Sequence, residues 1–98
     1  MISSRFDRLP CRLVHGHEVP VATGFRPRTL GLALLDRAEA GPGLLIPCCS
    51  SVHTFGMRFA LDLHFLDAEG AVLSSRLAVP PRRFVACRGA AAVLECPA

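Results

Sequence analysis

Four side chains suited to acid–base or anion-binding chemistry, His53, Arg58, Asp62 and His64, fall within one short stretch of the chain. A carboxylate that orients a histidine is the arrangement general-base catalysis needs, and the oriented imidazole can equally serve as a metal ligand. Arg58, between Met57 and Phe59, adds a cation able to hold an anionic group. These four residues form the candidate ligand-binding site, and two chemistries are open to it. The first is a non-enzymatic binding or accessory module whose polar face takes a small polar or anionic ligand. The alternative is a small hydrolase-like or metal-dependent enzyme in which Asp62 orients His53 or His64. Carboxylate–histidine pairs also arise as plain structural hydrogen bonds on half-buried strands, which favours the first reading. No established catalytic motif accompanies the four, so no catalytic residue or metal ligand is assigned and no cofactor is expected.

Other reactive residues are less well placed. Cys48 and Cys49 are neighbours, and in an extended segment they point to opposite faces, which suits two independent thiols better than a shared ion. A Cys–His pair formed with His53 does not match a recognised nucleophile arrangement. His15 and His17 share a strand face in principle, yet Gly16 between them marks a turn tip with solvated imidazoles. Glu95 sits in an apolar segment between Leu94 and Cys96. It is expected either exposed or as the partner of Arg58 or Arg83.

The candidate site rests on Ser51 to Asp67. Ala60 to Asp67 alternates as a strand does, with Leu61, Leu63 and Phe65 on the buried face and Asp62 and His64 on the other. Ser51 to Phe55 reads as a second strand, joined to the first by Gly56 to Phe59. An antiparallel pair would bring His53 to within about 5 Å of Asp62 or His64 across the ladder. Further strands are predicted over Cys11 to His15, Glu18 to Thr23, Leu44 to Cys49, Ala71 to Val79 and Ala90 to Cys96, with a turn at Ala68-Glu69-Gly70 bonded by Asp67. Leucines at helical spacing predict one short helix over about residues 29–38, inside which Gly31 allows either a late start or close packing onto the sheet. The fold class is therefore mainly β, a small compact antiparallel β-barrel or sandwich with that single helix.

At 98 residues, with 51% hydrophobic and 19% charged residues, the chain is expected to form a single domain, residues 1–98, with a dense core. The charge of +3 comes from arginine alone, since lysine is absent. These arginines are scattered and carry no interleaved aromatics, so nucleic-acid binding is not expected. Five cysteines without regular spacing make a poor disulfide framework and fit reduced thiols. Neither a signal-length apolar run at the N-terminus nor a membrane span is seen, which predicts a soluble, cytoplasmic protein.

Taken together, Thr29-Leu30-Gly31-Leu32, Gly43-Leu44-Leu45, the run from Ser51 to Asp67 and Val93-Leu94-Glu95 resemble the uncharacterised bacterial and archaeal family known as domain of unknown function 192, or uncharacterised protein family 0127. The resemblance spans nearly the whole chain. It departs at Gly56, where members usually carry an aromatic residue, and in the shortened Arg58-Phe59-Ala60. It implies a mainly β fold with a short helix and brings no established activity. Members often continue past Val-Leu-Glu into another strand, so the resemblance also implies an open sheet edge through which a homo-oligomer, such as a homodimer, could form.

Overall fold

The computed structural model describes residues 4–98. Met1 to Ser3, part of the N-terminal stretch read for a signal segment, lie outside the described residues. The first reversal follows directly from Gly16. His15 and Gly16 both adopt positive φ (47° and 84°), the backbone of a tight two-residue turn, and they join β1 (Cys11–Val14) to β2 (His17–Pro20) in an antiparallel hairpin. Val14 and Val19 are the buried residues of the pair.

Helical structure ends earlier than the leucine spacing predicts. Helix α1 spans Phe25–Leu30, with Pro27 in its first turn, where a missing N–H is harmless. Gly31, at φ 53° and ψ −127°, turns the chain out of the helix, and Asp36 then caps a separate 3-10 turn over Arg37–Glu39, with Glu39 completing a capping box. The predicted helix over 29–38 is thus corrected to a short helix and a 3-10 turn, separated because Gly31 and Asp36 each favour a break over continued α geometry.

Six strands follow: β3 (Leu44–Pro47), β4 (Ser51–His53), β5 (Leu61–Leu66), β6 (Val72–Val79), β7 (Phe84–Ala86) and β8 (Ala92–Pro97). A four-stranded antiparallel sheet has the order β3-β8-β5-β6, and β4 pairs with β7 in a separate two-stranded sheet. The architecture is mainly β and sandwich-like, not a closed barrel. One face of the large sheet buries Leu61, Leu63, Phe65 and Val93 against Leu32, Met57, Val52 and Val85. On the opposite face, Leu45, Leu66 and Leu94 pack with Val14 and Val19 of the first hairpin.

Two expectations change here. Ser51 to Asp67 is not a hairpin, because β4 faces β7 (Val52 opposite Val85, His53 opposite Phe84) while β5 lies between β8 and β6. The cause is Thr54, which is fully buried. Its N–H donates to the Arg83 carbonyl at 2.8 Å, its hydroxyl donates to the Pro80 carbonyl at 2.7 Å and accepts from the Arg83 N–H at 2.8 Å. These bonds hold the end of β4 to the loop before β7 and send Gly56 to Ala60 across to the other sheet. Likewise, the last strand does not form an open edge. β8 is flanked by β3 and β5, and the outer strands of its sheet are β3 and β6.

The approach of β3 to β8 depends on Gly43. A Cβ there would lie 2.4 Å from the Glu95 carbonyl oxygen, and the residue's φ of +128° already disfavours a side chain. Backbone cannot move aside as a flexible side chain does. Gly43→Ala is expected to cost about 2 kcal/mol or more, read as a lowered urea midpoint with an unchanged slope. An unaltered midpoint would mean that β3 and β8 are less closely packed.

Candidate functional site

The side chain of Glu95 points the way to the site. It projects from β8 on the same face as Val93, between Leu44 of β3 and Leu63 of β5, and is only 2% exposed. The turn after α1 lies over it. A Cβ at Gly31 would stand 2.6 Å from Glu95 Oε1, so glycine is the residue that lets this turn approach the carboxyl group. Arg5 reinforces the turn from the N-terminal segment, its guanidinium donating to the carbonyls of Gly31 at 2.6 Å and Ala33 at 2.9 Å.

The Leu32 backbone amide bonds the Glu95 carboxyl group, whereas Oε1 has no hydrogen-bond partner among the described residues. Burial raises the pKa of this group from 4.5 to about 7, and the Leu32 bond offsets only part of that. Near neutral pH the carboxyl therefore exchanges between a neutral donor and an anion. An unpartnered buried oxygen carries a desolvation cost of about 1–3 kcal/mol, more when charged.

Glu95 also lines a cavity of about 160 Å³, together with the end of α1 (Arg28, Leu30, Gly31), Ile46 of β3, Cys49, and Ser51, Val52 and His53 of β4. The Arg28 guanidinium reaches over to donate to the carbonyls of Pro47 and Cys48. The Cys49 thiol donates to the Ser51 carbonyl at 3.0 Å, which engages its proton in a structural bond. His53 is exposed on its strand and stands 5.8 Å, ring to ring, from Phe55. The lining thus includes one buried acid, one arginine and one histidine. A larger groove of about 500 Å³ lies on the other face, between the β1–β2 hairpin and the β5–β6 turn. There His15 Nε2 bonds the Gly70 carbonyl at 2.9 Å.

Of the four residues singled out in the sequence, only His53 lines the acid-floored cavity. Arg58 pairs with Asp36 at 3.2 Å in an exposed bridge, the kind that contributes little. Asp62 Oδ1 accepts the Ala78 N–H at 2.8 Å, where Ala78 at φ 52° interrupts the register of β6. His64 Nδ1 bonds the Ser75 hydroxyl at 2.8 Å across the same pair of strands. Among the described residues no hydrogen bond joins Asp62 to a histidine, so the carboxylate–histidine pairing drawn from the sequence is replaced by two cross-strand structural bonds.

Glu95 and Arg28 are the members of the cavity that the sequence reading missed. Glu95 is neither exposed nor paired with Arg58 or Arg83. The Arg83 guanidinium instead donates to the Arg82 carbonyl. A single acid within an apolar strand was the available signal. All five cysteines are free thiols.

The fold and the cavity together define a small sandwich-like β protein with an acid-floored pocket at one edge of its core. The chain belongs to the DUF192 family, described as uncharacterized ACR, whose family model matches residues 11–98. No curated protein and no solved structure matches it. Among the described residues no helix is long and apolar enough to cross a membrane.

Proposed function

We propose that this chain is a non-enzymatic binding module that holds a small polar ligand in the cavity floored by Glu95. The observation that carries this reading is the Glu95 carboxyl group, buried in the lining of the cavity with Oε1 unpartnered among the described residues. A polar ligand toward which the carboxyl group turns, and which donates a hydrogen bond to it, removes the cost of leaving Oε1 unsatisfied. His53 contributes the polar wall expected of the central stretch, while Arg58, Asp62 and His64 act in the surface and strand pairing around it.

A thermal-shift screen of small polar compounds against the wild type and Glu95→Gln tests the proposal. A ligand present at about 100 times its Kd is expected to add about 2.7 kcal/mol, or roughly 10–20 °C in a domain this size, to the wild type and much less to the variant. Stabilisers that act equally on both proteins, or a screen with none, would overturn it.

A further inference from the structure

We propose that the open side of the sandwich, between the free edges of β6 and β7, is a docking groove for an extended, acidic segment of another protein, which adds to β6 as a further strand. This surface is separate from the Glu95 cavity. β6 is the outer strand of its sheet and β7 pairs with β4 alone, so among the described residues each presents one edge without a neighbouring strand. All of β6 except Ser74 and Val79 is exposed, including Leu73 and Leu77.

Alternation along the ladder fixes which backbone groups are free. The Ala98 N–H donates to the Ala60 carbonyl, and the register of β5 on β8 runs unbroken from Leu61 opposite Pro97 to Leu66 opposite Ala92. Asp62 and His64 therefore bond toward β8, while Leu61, Leu63 and Phe65 bond toward β6. The partners of Leu63 and Phe65, Arg76 and Ser74, face inward, so the N–H and carbonyl of Ser75 between them point out of the sheet edge. Register shifts flank this segment on both sides. Bulges of that kind bend an edge and oppose long strand-to-strand zipping, which suits a short added segment better than a second copy of the whole edge.

Charge selects the partner. The groove is lined by Arg76, Leu77 and Val79 of β6 and by Arg83, Phe84 and Val85, and among the described residues no carboxylate lines it. Asp62, opposite this part of β6, projects to the other face of the sheet from Leu61 and Leu63 and accepts the Ala78 N–H. The ion pair among the described residues joins Arg58 to Asp36, so Arg76 and Arg83 are left without a carboxylate partner. A segment that carries both apolar and acidic residues covers the exposed Leu77 and Phe84 and meets the two guanidiniums, while its backbone bonds Ser75. A second copy of this chain would instead bring another Arg76 and Arg83 to the same place, setting like charges together.

Panning a phage-displayed library of random peptides on the intact chain tests the proposal, with the most enriched peptide then synthesised and titrated. Enriched peptides are expected to combine acidic and apolar residues. They should lose about ten-fold or more in affinity on the Arg76→Glu/Arg83→Glu double variant, whose urea midpoint serves as the check on folding. In the complex the Ser75 amide is expected to exchange with solvent about ten-fold or more slowly, with the largest chemical-shift changes from Leu73 to Leu77 and at Phe84. Enrichment of basic peptides, affinity indifferent to the double variant, shifts confined to another surface, or no enrichment would each overturn it. A dimer of the free chain that Leu77→Ser dissolves would overturn it as well, by giving the edge to a second copy.

Discussion

Phe65→Ala should lower the unfolding free energy by about 3–5 kcal/mol, the usual cost of deleting a buried aromatic ring. Phe65 is fully buried on β5, opposite Val93 of β8 and Ser74 of β6, within the cluster that includes Leu61, Leu63 and Leu32. The loss combines the transfer of the ring from a dry core with the void left behind, which the surrounding strands cannot close without giving up their ladder bonds. Small domains have about 5–15 kcal/mol in total, so the variant should be marginal. Phe84→Ala provides the control, because Phe84 is 70% exposed and its removal should change stability by no more than about 0.5 kcal/mol. Equal urea midpoints for wild type and Phe65→Ala would mean that the faces of β5 are reversed.

The second large effect is a fall in stability between acid and mildly alkaline pH that Glu95→Gln removes. In the folded chain the Glu95 carboxyl titrates at about 7, against an ordinary 4.5, because burial disfavours the anion. Below pH 4.5 the group is protonated in both states and folding carries no ionisation cost. As pH rises toward 7 the unfolded chain releases its proton and the folded chain keeps it, so folding becomes progressively less favourable. Above 7 the loss levels off. The full change is about 3 kcal/mol. Gln keeps the shape and an acceptor for Leu32 but cannot ionise, so the variant should match the wild type near pH 4 and exceed it by about 3 kcal/mol near pH 8. Arg28 and His53 share the cavity with this group, and the Cys96 thiol beside it is itself pushed up by burial, then by Asp62 and Glu95. Parallel stability curves for the two proteins would show that Glu95 is solvated after all.

Local signals in the sequence proved dependable where a single stretch decides its own conformation. The alternation of Leu61, Leu63 and Phe65 marked the core face of β5, Gly16 marked the first turn, and Asp67 accepts the N–H groups of Glu69 and Ala71 in the next one. What stayed hidden was settled by partners distant in sequence. β4 is only three residues long, too short to specify its own neighbour, and Thr54 assigns it to β7 through bonds to Pro80 and Arg83. The candidate site moved for the same reason. His53 and Asp62 belong to different sheets, while His53 and Glu95 meet at one cavity across more than forty residues of chain. Burial of Glu95 follows from β8 lying inside its sheet and from the Gly31 turn above it, neither of which strand periodicity can reveal. Gly31 within the leucine-rich segment is the nearest signal, since the close packing it permits is onto Glu95.

The most direct test of the buried acid in the cavity lining is a carbon-13 NMR titration of the Glu95 side-chain carboxyl. A midpoint near 7 is expected, because burial disfavours the anion. A midpoint near 4.5 would contradict the assignment of Glu95 as a buried, unpartnered acid of the site.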